Sequence, residues 1–80
     1  METHYVYILK CADDKFYVGC TKNLFKRLEC HQKGQVNSTS YRLPLELETY
    51  IVFKNQYKAF KFEKYLKSGS GRAFRNKRLI

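Results

Sequence analysis

The sequence predicts a small α+β domain, in which a three-stranded antiparallel sheet is flanked by helices in the order β-β-α-β-α-α. Two short runs of β-branched and aromatic residues near the start are joined by polar residues, which is typical of a β-hairpin. Two later segments have helical periodicity and are separated by one more strand-like run. Eighty residues leave room for one domain, so a single domain is predicted over residues 1–80.

The hairpin is predicted over residues 5–20. Residues 5–10 favour a strand because Tyr, Val, Ile and Leu dominate them. Residues 11–15 include two successive aspartates and interrupt this pattern, and residues 16–20 resume it. Gly19, near the end of the second strand, predicts a place where a backbone or a ligand approaches closely.

The first helix is predicted over residues 22–33. Thr21 is the predicted N-cap, and Gly34 is predicted to end the helix. Residues 35–44 predict a loop, because they are rich in Asn, Ser and Thr and contain the only proline.

The second half of the chain predicts one strand and two helices. Residues 45–53 predict the third strand, and residues 56–67 predict a helix. The Ser-Gly-Ser-Gly segment at 68–71 is predicted to end that helix, and a short basic helix is expected over residues 72–78.

The charge of the chain is strongly asymmetric. Sixteen Lys and Arg residues against seven Asp and Glu residues give +9, and residues 54–80 hold nine basic residues against one acidic residue. This predicts a positive surface for a polyanion, and DNA, RNA and an acidic membrane all fit on charge alone. A basic tail kept for solubility is the structural alternative, although interleaved aromatic residues argue against a disordered tail. The predicted nucleic-acid-binding residues are Lys58, Lys61, Lys64, Lys67, Arg72, Arg75, Lys77 and Arg78.

Other features of the sequence exclude several classes of protein. No run approaches the roughly 20 apolar residues of a membrane span, and no signal peptide is expected, which predicts a cytoplasmic protein. The three cysteines form no C-x-x-C pair and are predicted to be reduced thiols. A zinc site that includes Cys30 and His31 is the weaker alternative, because adjacent side chains diverge on a helix.

Two polar side chains on the first helix are predicted to face the protein. Leu24 and Leu28 define the apolar stripe, and Arg27 and His31 lie beside it, one turn apart. Either residue could be functional or a structural hydrogen-bonding residue.

Glu63 is predicted to lie on the apolar face of the second helix, beside Phe62 and Leu66. An ionised carboxylate is costly to bury unless it meets a cation. Two partners remain open: Arg27 in an ion pair, or a metal ion such as Mg²⁺, which favours oxygen ligands.

These features, in this order, resemble the GIY-YIG nuclease family, and most of all its small stand-alone bacterial members. Tyr5-Val6-Tyr7 stands where the family has Gly-Ile-Tyr, and Tyr17-Val18-Gly19 stands where it has Tyr-Ile-Gly. Arg27 follows with His31 one turn later, and Glu63 lies on a later helix. The resemblance covers nearly the whole chain. Tyr5 replaces the first glycine, and Cys20 stands where some relatives carry a lysine.

The resemblance implies five catalytic residues that converge on one face of the sheet: Tyr7, Tyr17, Arg27, His31 and Glu63. It implies that Glu63 holds one Mg²⁺ or Mn²⁺ ion at the scissile phosphate, and that Arg27 neutralises charge in the transition state. Tyr17 would orient or deprotonate the attacking water, with Tyr7 supporting it by a hydrogen bond. His31 would either assist as a neighbouring cation or contact phosphate directly.

The function predicted from these observations is a metal-dependent DNA endonuclease, acting in repair or recombination on branched, nicked or flap DNA. The alternative from another class is a nucleic-acid-binding module with the same fold and little or no catalysis. Binding to structured RNA is a third interpretation. Because no separate targeting domain is expected, a protein partner or a homodimer would have to contribute any targeting beyond the protein's own surface.

Overall fold

The computed structural model describes residues 3–80 and contains one antiparallel sheet with three helices. The sheet has the strand order β2-β1-β3, with strands β1 (His4–Lys10), β2 (Phe16–Thr21) and β3 (Glu46–Phe53). The helices are α1 (Leu24–Gln32), α2 (Gln56–Leu66) and α3 (Gly69–Arg78). The predicted fold class and the predicted order of elements are confirmed.

The sheet has a hydrophobic core on each face, because side chains alternate along the central strand β1. The core on one face is formed by β1, β2 and α2: Val6, Ile8, Val18, Ala59 and Leu66. The core on the other face is formed by β1, α1 and the residues beside them: Tyr7, Leu9, Cys11, Leu24 and Leu45. Helix α1 therefore covers one face, while α2, with α3 packed against it, covers the other.

The predicted N-cap of the first helix is wrong. Asn23 is the cap, and its side-chain Oδ1 accepts a hydrogen bond from the backbone N–H of Lys26 at 3.1 Å. Thr21 is still paired with Tyr5 in the sheet, so its backbone belongs to β2. Gly34 does follow the end of α1, with a positive φ of 73° that suits glycine.

The segment at 68–71 has a different role from the one predicted. Ser68 is the N-cap of α3, its Oγ accepting from the N–H of Gly71 at 3.2 Å, and the helix begins at Gly69. A Cβ atom at Gly71 would overlap the backbone carbonyl of Tyr65. Glycine is therefore needed there so that α3 can start directly against the end of α2.

The loop between α1 and β3 is tied to the turn of the hairpin. The guanidinium of Arg42 binds Asp13, with Nε 3.1 Å from Oδ2, and the carbonyl of Arg42 accepts from the N–H of Ala12 at 3.0 Å. This contact holds the loop across the end of the sheet, where its residue Thr39 is fully buried.

The structure also describes the three cysteines and the length of the helices. Cys11, Cys20 and Cys30 carry free thiols, as predicted. Among residues 3–80, no helix has the length and apolar character that a bilayer-spanning segment requires.

Candidate active site

Tyr7 lies at the centre of the candidate site. Its side chain extends from the middle of β1 towards α1 and is fully buried. The hydroxyl oxygen lies 2.9 Å from Nε2 of His31 and 3.4 Å from Nε of Arg27. Gly19 faces Tyr7 across the sheet, and a Cβ atom there would overlap the Tyr7 ring. The group that approaches Gly19 closely is therefore the Tyr7 side chain rather than a backbone or a ligand.

His31 continues the hydrogen bonding into the interior. Its Nδ1 lies 2.8 Å from Oγ1 of Thr39, and the Thr39 hydroxyl lies 3.4 Å from the carbonyl oxygen of Val36. Both side chains have no exposed surface. Thr39 was not singled out from the sequence, because a threonine in a polar loop is normally a surface residue. Its burial follows from the packing of the loop over α1.

The direction of each hydrogen bond follows from which groups can only donate and which can only accept. Arg27 can only donate, and the Val36 carbonyl can only accept. Arg27 N–H therefore donates to the Tyr7 oxygen, and the Tyr7 O–H donates to Nε2 of His31. Nδ1–H of His31 then donates to Thr39, whose hydroxyl donates to Val36. Each of the side-chain atoms in this series of hydrogen bonds has a partner in this arrangement, which assigns the proton of neutral His31 to Nδ1.

Burial keeps the imidazole of His31 and the phenol of Tyr7 neutral at ordinary pH. Desolvation, with a smaller effect from the positive charge of Arg27, lowers the pKa of His31 from 6.5 to about 4. Desolvation raises the pKa of Tyr7 to about 12 against the opposing hydrogen bond from Arg27. A neutral His31 does not favour the role of assisting cation, which was one of the two roles that the family resemblance implied. Its buried ring also leaves no surface for direct phosphate contact.

Arg27 links the buried hydrogen bonds of Tyr7, His31 and Thr39 to the protein surface. Its side chain is partly buried, and it lines an open recess of about 200 Å³ together with residues from β2 and α1: Thr21, Asn23, Lys26 and Cys30. The hydrogen bond with Tyr7 raises the pKa of Arg27 above its ordinary value, and Tyr17 adds to this effect. The guanidinium is thus a permanent charge, fixed on one side by Tyr7 and open on the other to the recess.

Tyr17 is the second tyrosine of the site and is only partly buried. Its ring centroid lies 5.2 Å from that of His31 and 6.4 Å from that of Tyr7, both in tilted or edge-on arrangements. The Tyr7 hydroxyl is bonded to His31 and Arg27, so Tyr7 does not support Tyr17 in the way predicted. The two tyrosines are instead packed as neighbours around His31.

Glu63 approaches the site from the opposite face of the sheet. It lies on α2, with a side chain that is 23% exposed, and its Oε2 lies 3.0 Å from Nζ of Lys67. Glu63 therefore does not form the ion pair with Arg27 that was one of the two alternatives left open. The Glu63 charge nevertheless contributes, after desolvation, to raising the pKa of Cys20 on β2 and, as a minor cause, that of Tyr7. Four of the five predicted catalytic residues thus lie together, and the fifth, Glu63, affects one of them, Tyr7, through its charge.

The basic residues predicted to bind nucleic acid lie on α2, α3 and the turn between them, away from the α1 face. Seven of the eight are exposed, and Arg75 is the exception. Its Nε is buried without a hydrogen-bond partner, and burial lowers its pKa. Arg75 therefore packs against the protein instead of extending into solvent.

A zinc site is not formed by the described residues. Among residues 3–80, no group of three or more His, Cys, Asp and Glu side chains is placed to hold a metal ion. His31, which the zinc alternative required, is bonded through both of its ring nitrogens within the protein.

The paired strands β1 and β2 carry Tyr7 and Tyr17, and the helix that follows them carries Arg27 and His31. Residues 3–78 match the model of the GIY-YIG catalytic domain, and the chain belongs to the GIY-YIG family. The resemblance drawn from the motifs is confirmed.

Similar proteins include small bacterial members of this family. The UPF0213 protein of Lactococcus lactis is 40% identical over 68 residues, which cover 84% of this chain and 69% of that protein. The UPF0213 protein of Clostridium perfringens is 42% identical over 65 residues, covering 80% and 70%. A solution NMR structure of a UPF0213 protein from Bacillus halodurans has a TM-score of 0.60 and 32% identity, covering 92% of this chain and 80% of that one.

Proposed function

We propose that this protein is a divalent-metal-dependent DNA endonuclease that hydrolyses phosphodiester bonds. The observation that carries the proposal is the position of Arg27, which is anchored to the buried Tyr7 and borders a recess open to solvent. A fixed planar cation at the edge of a recess suits the oxygens of a phosphate group. Membership of a nuclease family supports the same conclusion.

Arg27 binds the phosphate and stabilises the charge that develops on it. One N–H of the guanidinium is used by Tyr7, and the remaining donors are available to phosphate oxygens. Because the hydrogen bond with Tyr7 fixes the orientation of the side chain, little rearrangement is needed when charge develops in the transition state. Lys26 on the same recess adds positive charge.

Tyr17 is the tyrosine that meets the attacking water. It is partly exposed, whereas the Tyr7 proton is committed to His31 in a buried hydrogen bond. Tyr7, His31 and Thr39 therefore act by positioning Arg27 and the Tyr17 ring, and do not exchange protons with the substrate. The Tyr17 hydroxyl orients the attacking water by a hydrogen bond, next to the phosphate that Arg27 binds.

Glu63 is the residue that would hold a divalent cation. Its mostly buried carboxylate binds the ammonium of Lys67, which supports a cation-binding role for this position. One carboxylate fits Mg²⁺ or Mn²⁺ when phosphate oxygens and water complete the ligand set. A cation bound there would supply positive charge to the phosphate and to the leaving oxygen.

The proposed biological role is DNA repair or recombination in the cytoplasm, on branched, nicked or flap DNA, by a single domain of 80 residues. A second candidate function is a nucleic-acid-binding module without catalysis. One observation favours it: the exposed lysines and arginines lie on α2 and α3, where they can bind a polyanion without using Tyr7 or Arg27.

The decisive experiment compares wild type with Glu63→Gln on labelled duplex, single-stranded, flap and four-way-junction DNA, with Mg²⁺, Mn²⁺ or a chelator. We expect wild-type cleavage that disappears with chelator and with Glu63→Gln, while DNA binding persists. Glu29→Gln is the matched control, because Glu29 also pairs with a lysine four residues later, at 3.9 Å, but lies exposed on α1. Tight binding without cleavage of any substrate would instead support the binding module.

A further inference from the structure

The outer face of α2 carries exposed aromatic rings that the active site does not use. Tyr57, Phe60 and Tyr65 expose 68%, 49% and 41% of their surface. With Lys61, Lys64 and Ser68 they line an open groove of about 630 Å³. At helical spacing this face is opposite Ala59 and Leu66, which are buried against the sheet. Three rings are more than the scattered apolar residues of an ordinary surface, so this face requires an explanation.

Two of the three rings, those of Tyr57 and Tyr65, contact neighbouring side chains. Tyr65 packs against Phe62 and Phe74, with ring centroids 6.3 and 6.0 Å away. The ammonium of Lys61 lies 5.2 Å from the centroid of Tyr57. A ring that is already ordered loses little conformational freedom when a second flat group stacks on it.

The charge on this face selects the kind of ligand. Lys61 and Lys64 line the groove, Lys58 flanks it on the same helix, and these lysines are exposed. Rings interleaved with positive charges match a polyanion that presents flat apolar groups along its length. An unpaired nucleic-acid strand has this chemistry, since its phosphates are available to lysines and its bases are available for stacking. In a duplex the bases are already stacked on one another and present no face to the rings.

We propose that the outer face of α2, formed by Tyr57, Phe60, Lys61, Lys64 and Tyr65, stacks the bases of an unpaired nucleic-acid strand. The inference rests on the proposed function only in naming the substrate, namely DNA with an unpaired segment next to the cleaved strand. This surface is on the outer side of α2 and shares no residue with the recess beside Arg27, so the unpaired strand does not occupy that recess.

The test is equilibrium binding in a chelator, so that no cleavage takes place. Fluorescence anisotropy is measured with four labelled probes of equal length: an oligothymidylate, an oligouridylate, an abasic strand and a blunt duplex. We expect Tyr57→Ser and Phe60→Ser each to weaken binding of the base-containing strands roughly 5-fold to 100-fold, and to leave abasic binding unchanged. Lys61→Gln and Lys64→Gln should weaken binding of the base-containing and the abasic strands alike. The two base-containing probes tell whether the strand is DNA or RNA.

Tyr41→Ser is the matched control, because Tyr41 is a tyrosine 79% exposed in the loop after α1, outside the groove. Unchanged thermal unfolding shows that each variant is folded. The proposal is overturned if the ring variants bind the oligonucleotides as wild type does, or lose abasic binding equally. It is also overturned if the rings affect only binding to vesicles of phosphatidylglycerol and phosphatidylcholine, which would assign the face to a lipid surface. The test measures binding without metal and does not depend on cleavage. A protein without nuclease activity could therefore stack an unpaired strand, and an active nuclease could lack this surface.

Discussion

The hydroxyl of Tyr7 lies 2.9 Å from Nε2 of His31, and neither side chain has any surface in contact with solvent. This hydrogen bond joins the central strand to α1 through two polar groups that would otherwise be unsatisfied in the core. It also fixes the Tyr7 oxygen where it can accept from Arg27 at 3.4 Å. The position of the surface cation thus depends on a bond in the interior.

Thr39→Val tests the inner end of the chain. Valine has a similar shape but cannot accept from Nδ1–H of His31, which leaves a buried donor unsatisfied at a cost of about 1–3 kcal/mol. We expect a free energy of unfolding lower by that amount, and a shift of the His31 proton from Nδ1 to Nε2, visible in the ¹⁵N chemical shifts of its ring. Thr39→Ser keeps the hydroxyl and should keep the tautomer. An unchanged ¹⁵N spectrum in Thr39→Val would contradict the assigned direction of the bonds.

The free energy of unfolding should depend on pH because the imidazole of His31 is buried. The pKa of His31 falls from 6.5 to about 4 on folding, so between these values the unfolded chain binds a proton that the folded protein does not. This contribution to stability is fully present above pH 6.5 and is lost as the pH falls towards 4. At about 1.4 kcal/mol per pH unit, the loss is about 3 kcal/mol. Urea unfolding at several pH values measures it, and His31→Gln should have a flatter profile in this range.

Much of the fold and part of the site could be predicted because they follow from local patterns. Arg27 and His31 were expected to face the protein from their helical spacing beside the leucines, and they do. The family resemblance, and not the local pattern, implied that Tyr7 and Tyr17 converge on one face of the sheet, and both rings lie beside that of His31. Short-range periodicity along the helix determines the directions of Arg27 and His31, so a single sequence is enough to predict them.

The remaining features depend on contacts between distant segments. Thr39 lies in a loop with no periodicity, and only the packing of that loop buries its hydroxyl. The Glu63 carboxylate lies on a face that the pattern marks as buried, yet its position beside Lys67 and not Arg27 depends on which side of the sheet α2 covers. Ser68 and the glycines after it suggest a break, whereas contact between Gly71 and the Tyr65 carbonyl lets a new helix begin there.

Gly19→Ala should displace Tyr7. The added methyl group would overlap the Tyr7 ring, so either the ring or β2 must move, at an expected cost of about 1–3 kcal/mol. We expect a lower melting temperature and loss of the Tyr7–His31 hydrogen bond, seen as a changed His31 ring resonance. Gly69→Ala is the control, because nothing lies within 4 Å of a Cβ atom there. Equal stability of the two variants would contradict the close approach of Tyr7 to Gly19.

The salt dependence of DNA binding counts the basic residues that contact phosphate. On duplex DNA, each contact contributes about −0.9 to the slope of log K against log salt concentration. Arg72→Ala and Lys77→Ala should each reduce the magnitude of the slope by about this amount if they touch phosphate. Lys15→Ala, an exposed lysine in the hairpin turn, should leave it unchanged. An affinity that does not depend on salt would contradict both the endonuclease and the binding module.

Arg27→Lys tests whether catalysis needs the positioned guanidinium of Arg27 or only a positive charge at this position. Lysine keeps the charge, but its single ammonium group lacks the planar fork that serves Tyr7 and phosphate oxygens at once. We expect kcat for DNA cleavage to fall by about 10²- to 10³-fold, as when a preorganised donor to a transition state is removed, with KM little changed. Lys26→Ala is the control, since Lys26 lines the same recess but has no bond to the buried chain, and its loss should act mainly on KM. Near-wild-type turnover by Arg27→Lys would mean that the recess needs only charge, and that the bond between Arg27 and Tyr7 serves folding alone.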